Sequence, residues 1–370
     1  MITKPPRIAI VYDRVNTFGG AERVLQSIHH LYPDAPLYTA VYDKQGASWT
    51  LGWDVRPSYL QHVPFAKQHH EWFALWMQSA FETLDLSDFD IIISVTSEMA
   101  KAVITRADQL HVCYCLTPTR YLWSHAGFYA GSRLRFLRSL AFSMLRFNDA
   151  IVATRPDVYI AISTYVQKRI EKYYRRPVQK VLAPPVAVGN DVSESVREGM
   201  LIVCRLVPYK RVDHAIIACM ELGVPLTIVG AGSDERRLMR LAGGHPVITF
   251  IGTCSDEDLH ALYNRSFAFL SPQEEDFGIA AIEAMAHGLP VISYRRGGVA
   301  ENVTKETGVL YAKHSADGLR QAIGQARERK WDRLTISSHV RRFETVRFER
   351  EFHDTLSDLW VEFESSHTLQ

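Results

Sequence analysis

Short apolar runs alternate with longer amphipathic stretches along the whole chain. Examples are Ile8–Tyr12, Ile91–Val95, Val158–Ile162, Met200–Cys204 and Leu226–Val229. Buried parallel strands have this apolar pattern, and their alternation with helical patterns indicates β–α–β units. The pattern therefore predicts an α/β fold with parallel sheets and right-handed crossovers.

The alternating pattern is interrupted once, near the middle of the chain. It stops at Pro185 and starts afresh at Met200, after a polar stretch. A chain of 370 residues is also long for a single core. We therefore predict two Rossmann-like domains, residues 1–185 and 186–344, with a C-terminal helix over 345–370 that packs back on the first domain.

Composition argues against several classes of function and location. The 42 Lys and Arg residues balance the 41 Asp and Glu residues, which argues against nucleic acid as the main partner. No apolar run is long enough to span a membrane, and the sequence opens on a strand without a secretory signal pattern. Five cysteines without a CxxC pair suit a reducing compartment, so we expect a cytoplasmic protein.

One segment leaves membrane contact open. Arg133–Phe147 interleaves four arginines with leucines and phenylalanines, which is typical of a basic amphipathic helix on an anionic membrane surface. The alternative is an ordinary helix that packs on the core through the stripe Leu134, Leu137, Ala141 and Leu145.

The most informative stretch is Ser271–Ile292, an acidic loop followed by a short helix that we expect to start near Gly278. Free amides and the helix dipole at such a start form an anion site. Glu275 precedes this start and Glu283 lies on the helix, so two carboxylates flank the anion site. A diphosphate with hydroxylated groups on both sides, as in a nucleotide-sugar, fits this arrangement. The amides predicted to form the anion site belong to Phe277, Gly278, Ile279 and Ala280.

Two other loops supply candidate phosphate-binding groups. Arg205 and Lys210 follow a predicted strand, where they can neutralise a diphosphate; a solvated charge cluster is the alternative. Gly19 and Gly20 lie at the first strand–helix turn, where glycine lets the backbone approach a phosphate, although a tight turn without ligand is also expected there. The fuller GxGxxG motif is missing, which disfavours a nicotinamide enzyme.

Residues in the first half of the chain suggest a sugar-contacting site and argue against a metal site. Arg120, Tyr121 and Trp123 follow a strand and are candidates for contacting a sugar, with ordinary loop packing as the alternative. The His- and aromatic-rich segment Tyr59–Phe81 is interpreted as core or groove wall. The DxD pattern Asp88–Asp90 precedes a strand instead of following one, so we expect no metal site and no cofactor.

Together these motifs resemble glycosyltransferase family 4 over essentially the whole chain. The matching features are GGAER at Gly19–Arg23, the Arg205 and Lys210 pair, and Glu275-x7-Glu283 with Phe-Gly between the two glutamates. The resemblance implies a retaining, metal-independent enzyme of the GT-B architecture, in which two Rossmann-like domains face each other across a cleft.

The segments EEDFGIAAIEAMAHGLPVI and HVCYCLTPTRYLW resemble bacterial mannosyltransferases of surface-polysaccharide assembly. This likeness implies transfer of mannose from GDP-mannose to a glycan or lipid-linked saccharide, with peripheral contact to the inner membrane surface left open. A UDP-sugar-using transferase of the same fold is the alternative donor assignment.

The resemblance also implies roles for individual residues. Glu275 would hold hydroxyls of the donor sugar and Glu283 the ribose, while Arg205 and Lys210 would stabilise the diphosphate together with the amides of Gly20 and of residues 277–280. Glu275, Arg205 and Lys210 are thus the predicted catalytic set. No protein nucleophile is required, because the departing phosphate would accept the proton of the acceptor.

One position departs from the family pattern. Many relatives carry His in the CxTP segment where this chain has Leu116. Either this subfamily works without that His, or His111 or His125 replaces it, or catalysis is reduced or lost and the protein only binds a nucleotide-sugar. We favour the first, because every diphosphate-handling element is present.

Overall fold

The structure, a computed structural model, describes residues 5–67, 69–124, 135–187 and 197–367. The chain divides into two compact units, one of Met1–Pro185 with Val346–Gln370 and the other of Val186–Thr345. Each unit is built on one parallel sheet.

Seven parallel strands form the sheet of the first unit. Numbered β1 to β7 along the chain, they are Ile8–Tyr12, Leu37–Thr39, Val55–Pro57, Ile91–Thr96, Leu110–Cys115, Val158–Ala161 and Lys180–Val181. They lie in the order β3-β2-β1-β4-β5-β6-β7. Every residue of β4 and β5 is buried, as expected for central strands of a sheet covered on both faces.

Helices cover this sheet. Helices α1 to α5 are Gly20–Leu31, Ala74–Glu82, Arg120–Trp123, Arg135–Val152 and Thr164–Tyr173. Short 3₁₀ helices occur at Ser48–Thr50, Tyr59–His62, His70–Phe73 and Ala100–Ala102. Ser163 caps α5 by accepting a hydrogen bond from the amide of Val166 at 3.1 Å.

The second unit repeats the plan with six strands. Strands β8 to β13 are Met200–Val203, Leu226–Val229, Ile248–Gly252, Ala268–Ser271, Val291–Tyr294 and Gly308–Tyr311, in the order β10-β9-β8-β11-β12-β13. Helices α6 to α12 are Val212–Leu222, Glu235–Ala242, Asp256–Arg265, Ile279–Ala286, Gly298–Asn302, Ala316–Arg327 and Arg333–His339. Two 3₁₀ helices lie at Pro208–Lys210 and Arg341–Phe343.

The C-terminal helix, α13 (Thr345–His367), packs on the first unit. The ring of Tyr114 on β5 contacts Phe348 and Phe352 edge-on, each with ring centroids 5.9 Å apart. This confirms that the tail returns to the first domain. The helix predicted over residues 345–370 begins at Thr345 and reaches His367 in the part of the chain that the structure describes.

The chain is extended immediately before α13, and a local contact explains why. The amide of Val186 donates to the carbonyl of Phe343 at 2.8 Å, and Val186 forms a parallel bridge with Glu344. Pairing with an extended segment takes the backbone groups that a continuous helix would use. The chain therefore restarts as α13 at Thr345.

The predicted fold class, two Rossmann-like parallel-sheet domains with a returning C-terminal helix, is confirmed. Among the residues that the structure describes, no helix combines the length and the apolar character required to cross a bilayer.

Candidate functional site

The second sheet has a point where the direction of winding reverses. From β8 the chain proceeds to β9 on one side, whereas β11 leads to β12 on the other. Ligands of open parallel sheets bind outside the carboxyl ends of the strands at such a point. The loop with Arg205 and Lys210 follows β8, and the loop with Gln273 and Glu275 follows the adjacent β11.

Lys210 and Glu275 meet at this position. The ammonium group of Lys210 donates to Oε1 of Glu275, which also accepts from Nε2 of Gln273 at 2.9 Å. The two charged side chains are only 11% and 13% exposed. A cation and a carboxylate that the sequence places 65 residues apart thus form one polar cluster that is largely shielded from solvent.

The loop that carries the cations is held in place by a glycine turn after β9. The amide of Leu206 donates to the carbonyl of Ala231 at 2.9 Å. A Cβ added at Gly232 would lie 2.3 Å from the carbonyl oxygen of Leu206, so no larger residue fits there without moving the backbone. Arg205 itself is exposed and donates to the hydroxyl of Tyr209 at 3.3 Å, which leaves its guanidinium on the surface of the loop.

The backbone of Glu275 is supported from the other side. The amide of Gly298 donates to the carbonyl of Glu275 at 2.7 Å. Gly297 has φ of +97°, and a Cβ on it would meet the carbonyl oxygen of Glu275 at 2.6 Å. Two glycines of the β12–α10 turn therefore allow close backbone contact that positions the loop containing Glu275.

Helix α9 starts immediately after this loop. Gly278 is its N-cap in the left-handed conformation, with φ of +90°, and Ile279 is the first helical residue. Phe277 therefore lies outside the first turn, contrary to the sequence prediction, and its buried ring packs edge-on against Phe343. The first amides of α9 belong to Ile279 and Ala280, and helix geometry leaves them without an intrahelical partner.

Glu283 projects from the second turn of α9 and is half-buried. Its Oε2 accepts a hydrogen bond from the hydroxyl of Tyr263 at 3.1 Å, and that hydroxyl also lies 3.4 Å from the carbonyl of Ala280. Tyr263 is only 1% exposed, so the carboxylate of Glu283 is oriented by a fixed donor. Sequence reasoning missed Tyr263, because it lies on another helix and belongs to no motif.

The predicted glycine turn of the first unit lies at the start of α1. Gly19 is extended, with φ of −174°, and Gly20 begins the helix. The carboxylate of Glu22 in the first turn is buried and accepts from the hydroxyl of Tyr12 at 2.5 Å. This carboxylate places negative charge at the positive end of α1, which is where a phosphate at Gly20 would bind. Phosphate binding at Gly20 therefore stays a prediction.

The three residues predicted to contact a sugar, Arg120, Tyr121 and Trp123, lie on α3. Trp123 donates from Nε1 to Oδ2 of Asp149 at 2.6 Å and stacks on Tyr173 with ring centroids 5.2 Å apart. Tyr121 contacts Phe142 edge-on at 6.4 Å. These contacts favour the ordinary-packing alternative for Trp123. A role for Arg120 and Tyr121 in binding a sugar stays a prediction.

Leu116 is buried at the carboxyl end of β5. His111 cannot replace the missing histidine there, because it lies five residues earlier on the same strand, roughly 16 Å away at the rise of an extended chain. Burial also lowers the pKa of His111 to about 3, and its Nε2 bonds to the hydroxyl of Ser94 at 2.9 Å. His125 lies outside the described residues.

The two aspartates of the DxD pattern form ion pairs with an arginine. Arg7 lies 4.0 Å from Asp88 and 3.5 Å from Asp90, at the amino end of β4. Within the described ranges, no group of three or more His, Cys, Asp or Glu side chains is arranged to hold a metal ion. The five cysteines carry free thiols.

Most of the second unit matches a known family in sequence. Residues 194–340 match the family Glycosyl transferases group 1. This matched region contains the site residues of the second unit, which are Arg205, Lys210, Tyr263, Gln273, Glu275 and Glu283. The first unit lies outside it.

Curated relatives show the range of this similarity. The chain is 36% identical over 134 residues to a glycogen synthase of Mycobacterium tuberculosis, covering 34% of this chain and 32% of the synthase. It is 32% identical over 200 residues to the GDP-mannose-dependent alpha-(1-6)-phosphatidylinositol monomannoside mannosyltransferase of the same organism, covering 46% and 52% of the two chains. The matches thus span between about a third and a half of these relatives' lengths.

A solved structure extends the similarity to the whole fold. Anabaena Alr3699/HepE in complex with UDP-glucose superimposes with a TM-score of 0.69 and 20% identity, covering 95% of this chain and 99% of that one. At this identity the likeness establishes the fold alone. It confirms the GT-B fold predicted from the sequence.

Proposed function

We propose that the protein is a retaining glycosyltransferase that moves a hexose, mannose from GDP-mannose, onto a glycan or a lipid-linked saccharide. The reaction would serve surface-polysaccharide or other glycoconjugate biosynthesis in the cytoplasm, in contact with the inner membrane surface. The observation that carries the proposal is the cluster of Lys210, Glu275 and Gln273 where the winding of the second sheet reverses, beside the start of α9.

The paired charges suit a ligand that presents both an anion and hydroxyls. In this proposal the diphosphate takes the ammonium of Lys210 as its partner, and donor-sugar hydroxyls donate to the carboxylate of Glu275. The guanidinium of Arg205 and the amides of Ile279 and Ala280 add positive potential around the diphosphate. Glu283, held by Tyr263, receives the ribose hydroxyls.

These contacts account for catalysis without a protein nucleophile. When the sugar–phosphate bond breaks, negative charge builds up on the leaving diphosphate, and preorganised cations and amides stabilise it. The departing phosphate accepts the proton of the acceptor hydroxyl on the same face of the sugar. Metal independence is part of the proposal, and unchanged turnover after treatment with EDTA would support it.

The donor assignment draws on the relatives. A mannosyltransferase named as GDP-mannose-dependent supports GDP-mannose, and the neighbouring structure solved with UDP-glucose supports the alternative of a UDP-sugar. Incubation of the protein with each nucleotide-sugar and a set of acceptors, followed by detection of released nucleotide, distinguishes them.

Substitution of the central pair tests the site. Lys210→Ala and Glu275→Ala should each lower transfer by about 10²-fold or more, the cost of losing one transition-state stabiliser. Lys313→Ala is the matched control, because Lys313 is 71% exposed and pairs with Asp317, which is not a member of the cluster. Turnover like that of the unmodified protein in either site variant would reject the assignment.

A second candidate function follows from Leu116, which cannot donate a hydrogen bond or titrate. The protein would then bind a nucleotide-sugar without transferring the sugar. Binding of GDP-mannose without release of GDP across the acceptor set would favour this candidate.

A further inference from the structure

Arg211 has an unusual backbone conformation directly beside a residue of the candidate site. Its φ is +52°, in the left-handed region that non-glycine residues rarely adopt. Among the described non-glycine residues, positive φ occurs elsewhere only at Phe65 and Arg175. Of the three, Arg211 adjoins Lys210. Such strain persists only where the surrounding contacts enforce it.

Neighbouring groups hold both the side chain and the backbone of Arg211. Its Nε donates to Oδ1 of Asp213 at 3.1 Å and its Nη2 to Oδ2 at 3.2 Å, a two-point contact between guanidinium and carboxylate. Nη2 also donates to Nε2 of His214. The amide of Arg211 donates to the carbonyl of Pro208 at 3.3 Å, and its carbonyl accepts from the amide of His214 at 3.0 Å. The left-handed conformation is therefore enforced from both sides of the residue.

Two histidines connect this turn to the loop that contains Glu275. Burial and the adjacent guanidinium of Arg211 lower the pKa of His214 to about 4, so the ring is neutral at pH 7 and its Nε2 can accept. The ring contacts His314 edge-on, with centroids 5.4 Å apart. Nε2 of His314 donates to the carbonyl of Pro272 at 2.9 Å. Pro272 directly follows β11, so the contact reaches the start of the Glu275 loop.

The backbone of Arg211 determines how the chain enters α6. The 3₁₀ helix Pro208–Lys210 ends directly before Arg211, and α6 begins at Val212 directly after it. Helix α6 packs in the core of the second unit. A change in the angles of Arg211 would therefore move the 3₁₀ helix rather than α6. Because Lys210 is the last residue of that 3₁₀ helix, its ammonium would leave Glu275.

Formation of a turn does not by itself explain an arginine at this position. Glycine adopts the left-handed conformation without strain. At the other end of α6 the chain uses glycine in this way, since Gly223 has φ of +63°. Glycine would also let the turn sample other conformations, whereas an arginine bonded to Asp213 and His214 holds one of them.

We propose that Arg211 is a positioning residue whose left-handed turn directs Lys210 toward Glu275. The contact between His214 and His314 ties together the two loops that contain these site residues. The effect of Arg211 on transfer rests on the proposed function, in which Lys210 stabilises the donor diphosphate. Its effect on the direction of Lys210 requires no substrate.

Acetylation of Lys210 by acetic anhydride in the full-length protein, followed by peptide mass spectrometry, reports the position of its amine. In the unmodified protein Lys210 should react more slowly than Lys313, because their side chains are 11% and 71% exposed. Arg211→Ala should raise the rate constant at Lys210 by about tenfold, since alanine is disfavoured in the left-handed conformation to that degree and brings no guanidinium contact. Arg211→Gly adopts the conformation without strain but lacks that contact, so its rate constant should be intermediate.

Further variants separate positioning from a general loss of stability. Asp213→Asn leaves Arg211 in place but removes the charged contact, and should also raise the rate constant at Lys210. It carries the test together with Arg211→Gly if Arg211→Ala fails to fold. Arg175→Ala is the matched control, because Arg175 is exposed in the first unit and has φ of +57°. It should leave the rate constant at Lys210 unchanged, and Lys313 should react equally in every variant.

Three results would overturn the proposal. They are equal acetylation of Lys210 in the unmodified protein and in the folded Arg211 and Asp213 variants, a rate constant in Arg211→Ala no higher than in Arg211→Gly, and an equal rise in Arg175→Ala.

Transfer assays distinguish this proposal from the proposed function. In Arg211→Ala, kcat/KM for the donor should fall by about tenfold, in parallel with the faster acetylation. Normal transfer despite faster acetylation would reject the effect of Arg211 on transfer. If the unmodified protein neither binds nor transfers from a nucleotide-sugar, the proposed function fails, whereas the acetylation rates still decide whether Arg211 positions Lys210.

Discussion

Gly298 provides a direct test of how backbone packing positions Glu275. Its amide donates to the carbonyl of Glu275 at 2.7 Å. A Cβ added to Gly298 would lie 2.1 Å from the carbonyl oxygen of Asp276 and 2.6 Å from the carbonyl carbon. Both obstacles are backbone atoms, so no side-chain rotation can relieve the clash in Gly298→Ala.

The size of the effect follows from that distance. The Asp276 carbonyl oxygen must recede by about 1.3 Å or more to reach an ordinary contact distance. A displacement of about 1 Å in a catalytic group can lower turnover by roughly 10²-fold. Overpacking of this kind also lowers the free energy of unfolding by about 1–3 kcal/mol. Gly298→Ala should thus lose most of its activity while it remains folded.

Gly324→Ala is the matched control. Gly324 lies in α11, and nothing is within 4 Å of a Cβ placed there. Alanine in a helix interior is favoured over glycine by about 1 kcal/mol, so this variant should be slightly more stable and equally active. Nucleotide release and urea unfolding are measured for both variants. Normal activity in Gly298→Ala would refute the claim that this turn fixes Glu275.

Three further predictions concern other buried polar groups. Tyr263→Phe removes the donor to Glu283 and should raise KM for the donor severalfold while kcat changes little; an unchanged KM would argue against a role for Glu283 in donor binding. Asp149→Asn leaves the ammonium of Lys101 buried without its partner and should lower the free energy of unfolding by about 3 kcal/mol in urea; a loss well below about 1 kcal/mol would contradict the buried pair. Burial lowers the folded-state pKa of His111 to about 3. As the pH falls, the unfolded chain therefore binds a proton at His111 before the folded chain does. The free energy of unfolding should therefore fall as pH drops from about 6.5 to about 3, by at most roughly 5 kcal/mol, and the fall should be smaller in His111→Asn; identical pH profiles would refute this.

Local sequence patterns predicted much of the fold because neighbouring residues determine them. Apolar runs marked the central strands, such as Ile91–Thr96 and Met200–Val203. The edge strands Val55–Pro57 and Lys180–Val181 were missed, since they are short and only partly buried.

Long-range contacts within the second unit were not predictable from local patterns. The sequence identified Lys210 and Glu275 as separate contributors, but only the adjacency of β8 and β11 brings them into direct contact. The donor from Tyr263 to Glu283 likewise depends on how α8 packs beside α9. Such contacts arise from the order of strands and helices in space, which sequence spacing does not encode.

The central claim is that the Lys210 and Glu275 cluster binds the diphosphate-sugar part of a nucleotide-sugar. Isothermal titration calorimetry of GDP-mannose into the unmodified protein, Lys210→Ala and Lys313→Ala tests it most directly. We predict saturable binding to the unmodified protein and to Lys313→Ala, with binding weakened by about tenfold or more in Lys210→Ala, because a charge-assisted contact is lost. Equal affinity in all three proteins would contradict the claim.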